Sequence, residues 1–357
     1  MENKKIYIAI LFFLAVDLMT NFIGGAFFTS APNKNHKNRI GFNIGACCAF
    51  AQTAGSEDPY REESLKFRFF YNFPERVFHV YKCEINTQIN RVFSDTSKQT
   101  FTRKEEVYIT LRNPTAKEDD FAMVNTGIDS IRYEFSDGTN TYKWWSQSDE
   151  DDLLDNQDFY KFFAMIGRFF VTTISPYYEV ALISGNLLEI GRNNIEEMAD
   201  SVERFIWKQA LADDNLKLYT DLNRGVIENG QFARDSSWKS KFTIPIEGIN
   251  YTCDTATTTF YLYDGKSFHL KAEMPFMKPS SDKALVVGID DFVAPVDSAN
   301  SSSEGYWDIA VTPRGVVQSV DAEFSTKAAR SINKVKFVDN IKTKIKFSLI
   351  NTYKWRD

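Results

Sequence analysis

Residues 341–349 read Ile-Lys-Thr-Lys-Ile-Lys-Phe-Ser-Leu. Ile341, Thr343, Ile345, Phe347 and Leu349 alternate with Lys342, Lys344, Lys346 and Ser348. In a strand, successive side chains point to opposite faces, so a period of two gives one apolar face and one lysine face. The stretch is therefore a half-buried β-strand with solvated lysines. Lysines of this kind can also guard a sheet edge against pairing with another chain.

The same alternation recurs upstream. Lys66-Phe67-Arg68-Phe69 begins it, and Val77–Tyr81 and Val107–Leu111 are β-branched and aromatic. Ile131, Tyr133 and Phe135 share one face, with Arg132 and Glu134 on the other. Asp137-Gly138 then separates this run from Thr141–Trp145, a hairpin signal. Thr257–Tyr263, Asp264-Gly265 and Lys266–Lys271 form a second hairpin pattern. Ala284–Ile289 suits a short covered strand, and Thr312-Pro313-Arg314 turns between Tyr306–Val311 and Gly315–Val320.

The middle third is different. Asp149–Asp155 is acidic, and Phe159–Phe170 is apolar behind a possible cap at Asp158. Asn194-Ile195-Glu196-Glu197 has the spacing of a capping box, with Asn194 as N-cap. Ile195, Met198, Val202, Phe205 and Ile206 then fall on one helical stripe running to about Asp213. The expected fold is mainly β with a helical middle segment. Two antiparallel β units, sandwich or jelly-roll-like, stand behind an N-terminal hydrophobic helix. The expected boundaries are an apolar segment 1–31, a linker 32–64, a β unit 65–148, a helical connector 149–235 and a second β unit 236–357.

Ile6–Phe28 contains no Lys, Arg or Glu, and its one charge is Asp17. Its length suits a bilayer-spanning helix, with a cleaved signal peptide and a buried core helix as the other readings. Asp17, Asn21, Gly24 and Gly25 suit contact with another helix inside the membrane. Lys4 and Lys5 precede the segment and Lys34, Lys37 and Arg39 follow it, so flanking charge does not fix orientation.

The 357 residues are 43% hydrophobic and 25% charged, ordinary values for a folded chain. The net charge of −6 argues against a broad nucleic-acid surface, and no direct nucleic-acid partner is expected. Four cysteines are too few for a disulfide scaffold, although Cys83 and Cys253 would be able to pair in an exported protein. Asn250 and Asn300 begin glycosylation sequons.

No cofactor or metal site is expected. The histidines are His36, His79 and His269, and no group of ligands has zinc spacing. His79 and Cys83 share a strand face. The Asp149–Asp155 run lacks the spacing and glycine of a calcium loop and suits a solvated helix start. Trp144 and Trp145 must point to opposite faces of a strand, one into the core and one outward as a possible surface contact. Glycoside hydrolysis needs two carboxylates across a cleft, and sequence does not locate such a pair. No nucleophile elbow, phosphate loop or dinucleotide fingerprint occurs.

These readings point to a non-enzymatic, membrane-anchored structural or assembly protein, either a virion component or a subunit of a membrane complex. Its expected partners are a lipid membrane and other protein chains or copies of itself, on the extracytoplasmic or virion side. The rival expectations are an exported glycan-acting hydrolase and a secreted ligand-binding β-rich domain. A groove lined by two close carboxylates and an exposed Trp would favour glycan chemistry.

Overall fold

The structure is a computed structural model. It describes residues 77–112, 121–147, 165–167, 169–175, 179–227, 232–233, 235–287, 293–313 and 315–354. Ile6–Phe28 with Asp17, Asn21, Gly24 and Gly25, the linker, Cys47-Cys48 and Asp149–Asp155 all lie outside these residues.

The strands before the helices are β1 (Val77–Phe93), β2 (Lys98–Arg112), β3 (Ala122–Ser136), β4 (Thr141–Trp145), β5 (Phe169–Ile174) and β6 (Val180–Ser184). Three helices follow, α1 (Asn186–Glu196), α2 (Ser201–Ala210) and α3 (Asp213–Thr220). Then come β7 (Ser237–Ile246), β8 (Ile249–Tyr263), β9 (Phe268–Pro279), β10 (Lys283–Leu285) and β11 (Val293–Pro295). The last three are β12 (Ser302–Val311), β13 (Val317–Ile332) and β14 (Val335–Lys354).

The chain is mainly β and antiparallel, as the alternation predicts. Twelve strands form one sheet in the order β6-β5-β3-β2-β1-β14-β13-β12-β9-β8-β7, with β4 on β3. The two strand-rich regions, expected as separate units, are joined where β1 pairs with β14 along all 17 residues of β1. Residues 341–349 form the half-buried strand that the alternation predicts, and its lysines guard no edge, because β14 sits between β1 and β13. Its lysines meet carboxylates across the strand. Lys342 and Lys344 reach Glu323 of β13 at 2.6 and 3.3 Å. Ile341, Ile345 and Phe347 are buried on the other face.

The sheet is strongly curled. Phe242 of β7 lies 6.2 Å from Phe324 of β13, ring centre to ring centre. Four strand steps separate β7 from β13, which would be about 19 Å in a flat sheet. Arg103 of β2 likewise reaches Glu247, in the β7–β8 turn, at 2.6 Å. The concave face is apolar and the helical middle segment packs against it. Trp307 Nε1 of β12 donates to the Leu222 carbonyl at 3.0 Å, and Trp238 Nε1 of β7 donates to that of Val226 at 3.1 Å. Ile206, Trp207, Leu216 and Tyr219 of α2 and α3 are buried.

Both hairpin signals hold. Asp137 Oδ1 accepts from the Thr139 and Asn140 amides, and Gly138 has φ 90°. Asp264 Oδ1 accepts from the Lys266 and Ser267 amides, and Gly265 has φ 84°. The capping-box reading is corrected. Asn194 belongs to the last turn of α1, and Asp200 caps α2 by accepting from Val202 N and Glu203 N at 2.8 and 2.9 Å. A carboxylate that engages two of the four unpaired amides at a helix start outweighs the sequence spacing.

At one end of the concavity, Arg91 of β1 holds Asp339 of β14 through Nε and Nη2 at 2.7 and 3.1 Å. The two side chains are 0% and 1% exposed. Arg91 Nη1 also donates to the Val287 carbonyl, and the guanidinium lies 4.5 Å from the Phe337 ring centre. Removing one partner of a buried pair strands the other charge. Asp339→Ala is expected to cost about 3–5 kcal/mol in urea unfolding. Lys344→Ala, which removes half of an exposed pair, should leave the unfolding midpoint almost unchanged.

Candidate functional site

The β1–β4 part of the outer face carries the side chains singled out by the sequence. Trp144 is buried and Trp145 is 40% exposed, on opposite faces as expected. Strand register sets a row of neighbours, Lys346, Glu84, Glu106, Arg132 and Trp145, across β14, β1, β2, β3 and β4. A second row runs Lys344, Asn86, Lys104, Glu134, Lys143. Together with Tyr133 and Trp144, most of these side chains line an open groove of about 500 Å³. The Arg132 guanidinium lies 5.5 Å from the Trp145 ring centre. Glu84 and Glu106 stand directly opposite each other, a repulsive pairing in itself. Lys82 relieves it by bridging both, at 3.1 and 2.7 Å.

The electrostatics of this groove favour binding over proton transfer. Partial burial pushes the Glu106 carboxyl up, but hydrogen bonds from Lys82 and Tyr108 and the Lys82 and Arg132 charges outweigh it. Its pKa therefore falls below the usual carboxylate value. Lys104 and Lys143 likewise hold Glu134 down. A glycosidase acid must instead keep its proton near neutral pH, with a raised pKa.

A different surface appears where β1 begins. Most of the outer face is charged, yet Met123 and Leu182 flank Thr173 in one cross-strand row and are 45% and 55% exposed. Phe121, Phe169 and Tyr353 are also exposed at this end. Tyr353 and Arg112 are the cross-strand neighbours of Phe78. The Arg112 guanidinium lies over Phe169 at 4.6 Å and over Phe78 at 5.1 Å. The Phe169 ring covers Gly127 so closely that a Cβ there would lie 2.4 Å from it. Sequence reasoning missed this patch because its members come from β3, β5, β6 and β14, and register alone brings them together.

Other candidates are quiet. His79 and Cys83 are both buried on the concave face, and His79 Nδ1 lies 3.1 Å from the Thr352 hydroxyl. Burial pushes the Cys83 thiol well up and lowers His79 to about 4, so both are neutral near pH 7. A nucleophilic dyad needs a thiolate. Cys83 and Cys253 are free thiols, so the disulfide considered for an exported chain is not formed. Among the described residues, no cluster of His, Cys, Asp and Glu has metal-binding geometry. Among the same residues, no helix is long and apolar enough to cross a membrane.

The groove makes a pH prediction. A depressed carboxylate pKa gives stability that is present above the unfolded pKa and lost as pH falls through the folded one. Carboxyl-carbon NMR should find Glu106 and Glu134 titrating below the ordinary 4.5. Lys82→Met should move Glu106 upward and leave Glu134 in place.

No family model and no curated protein matches the sequence. Among solved structures, the chain is similar to lipovitellin, in a structure of its lipid–protein interactions, at 10% identity and TM-score 0.41. That match covers 80% of this chain and 26% of the lipovitellin chain. Pseudomonas aeruginosa OccK5 (OpdH) matches at 9% identity and TM-score 0.21, over 78% of this chain and 98% of its own. Pseudomonas aeruginosa OpdQ matches at 9% identity and TM-score 0.16, over 76% and 63%. At TM-scores below 0.5 these likenesses assign no function.

Proposed function

We propose that the protein is a non-enzymatic, membrane-anchored β-rich protein whose curled sheet rests on lipid by the end at which β1 begins. The observation that carries this reading is the exposed apolar patch of Met123, Leu182, Phe169, Phe121 and Tyr353 at that end. Exposed apolar side chains gathered at one end of a sheet mark an interaction site. Chain connectivity supports lipid as the partner. The chain enters β1 at the same end, coming from the region that contains the apolar segment Ile6–Phe28. Arg112 stacked on Phe78 and Phe169 suits an interface, where a cation stays wet while its stem lies on apolar surface. In this reading the chain serves a structural or assembly role, in a virion or a membrane complex.

The charged outer face bears on how lipid is met. Lipid-spanning barrels turn apolar side chains outward. Here the long strands turn Lys82, Glu84, Lys104, Glu106, Glu323, Lys342 and Lys344 outward in their middles, while their apolar residues face the concavity. That arrangement favours contact at one end over burial of the whole sheet in the bilayer.

A second reading has one observation in its favour. The groove at Trp145 combines an exposed indole with the facing carboxylates Glu84 and Glu106, a surface suited to contact with a sugar. The lowered pKa of Glu106 supports glycan binding in preference to hydrolysis.

The membrane reading is tested on the full chain in vesicles whose lipids carry nitroxide quenchers. In a Cys47→Ser, Cys48→Ser background, a fluorophore on Leu182→Cys or Met123→Cys should be strongly quenched, and one on Lys344→Cys should not. Equal, weak quenching at all three sites would sink the docking geometry. Specific capture of an oligosaccharide that Trp145→Ala abolishes would favour the second reading.

A further inference from the structure

We propose that Arg330 and Tyr251 form a buried binding site for an oxyanion, the carboxylate or phosphate group of a bound molecule. Arg330 projects from β13 into the end of the concavity that holds Arg91 and Asp339, and its side chain is 1% exposed. One terminal nitrogen, Nη1, donates to the Leu285 carbonyl at 3.1 Å and lies 3.4 Å from Asp339 Oδ2. Nε and Nη2 have no partner. These two nitrogens form the side edge of the guanidinium, a fork whose parallel N–H bonds match a carboxylate or phosphate. Arg91 uses the same edge to grip both oxygens of Asp339. Arg330 thus presents a second copy of the fork with which Arg91 grips Asp339.

The neighbouring carboxylates are already engaged. The ionisable groups that act on Arg330 are Asp339, Tyr251, Glu247 and Arg91. Asp339 is gripped by Arg91, and Glu247 is held by Arg103 at 2.6 Å. Both carboxylates are thus gripped by another guanidinium, and Arg330 shares Asp339 only through Nη1. Buried charges are ordinarily paired, because an isolated one carries a large desolvation cost. Tyr251, on β8, is fully buried, and its hydroxyl has no partner. It adds a neutral donor from the facing part of the curled sheet. An anion between the two would engage three donors at once. Leu285, the last residue of β10, fixes the guanidinium through its carbonyl, so the fork is held in place before anything binds.

The test uses the whole protein, equilibrated overnight with sodium phosphate or sodium acetate against sodium chloride at matched ionic strength. Thermal unfolding of the wild type should show a saturable rise in Tm, on the order of 5 °C near saturation, with at least one of the two anions. Arg330→Met and Tyr251→Phe should each abolish most of that rise. No rise in the wild type would overturn the site and leave water between the donors. An equal rise in Tyr251→Phe would show an adventitious ion only. If Arg330→Met does not fold, Tyr251→Phe decides alone, since it removes a single oxygen. Mass spectrometry of an organic extract separates the sources. A co-purified organic acid or phosphate ester that Tyr251→Phe loses makes the anion part of a larger ligand. A phosphate-dependent Tm rise with an empty extract identifies a free ion.

Discussion

The pairing of β1 with β14 holds the rest of the sheet together. It is the only strand pairing, among the described strands, that joins β2–β6 on one side to β7–β13 on the other. Its register also fixes which side chains enter the core. Ile89 faces Ile341, Thr87 faces Thr343, Ile85 faces Ile345 and Cys83 faces Phe347, all buried. A slip of one residue on either strand would turn this row outward and bring lysines in. Arg91 and Asp339 lie in the same ladder, directly opposite each other. A buried ion pair at one position of a long ladder penalises every other register, because any slip leaves two charges buried and unpaired.

The two faces of the sheet handle charge in opposite ways. Outside, charges are paired cross-strand and shared, as when Lys82 serves both Glu84 and Glu106. Water screens these contacts, and each contributes little. Inside, the few charges take backbone carbonyls as well as each other. Arg91 reaches Val287, Arg330 reaches Leu285 and Arg224 reaches Thr243. These bonds tie the twelve-stranded sheet to segments outside its own ladders, the 283–287 stretch and the loop that carries Arg224. The curl makes them possible, because it brings strands distant in hydrogen-bonding order to within a side chain's reach.

Much of the strand content was legible because period-two alternation and Asp-Gly turns are local signals. Ile131–Phe135, the Asp264-Gly265 hairpin and the opposed faces of Trp144 and Trp145 follow directly from them. The misreadings share one cause, a neighbour that local sequence does not name. Lysines on an edge strand and lysines facing Glu323 read identically in residues 341–349. Asn194 and Asp200 are both plausible caps, and tertiary packing of α2 chose between them. The interior arginines were invisible for a related reason. Arg91 and Arg330 interrupt otherwise apolar faces, and a charge at such a position usually marks a strand leaving the core. The apolar patch near β6 and the groove at Trp145 each combine several strands, so neither has a linear signature.

The central place of β14 has a consequence for the chain while it is being made. β1 and β2 can zip together as soon as they emerge, but the other side of β1 waits for residues 335–354. At about 5–20 residues per second, translation leaves that row of amides and carbonyls unmatched for tens of seconds or less. An unpaired edge 17 residues long is an invitation to foreign strands. The nascent protein therefore faces a race between its own last strand and any neighbour with a free edge, and crowded polysomes are where it would be lost.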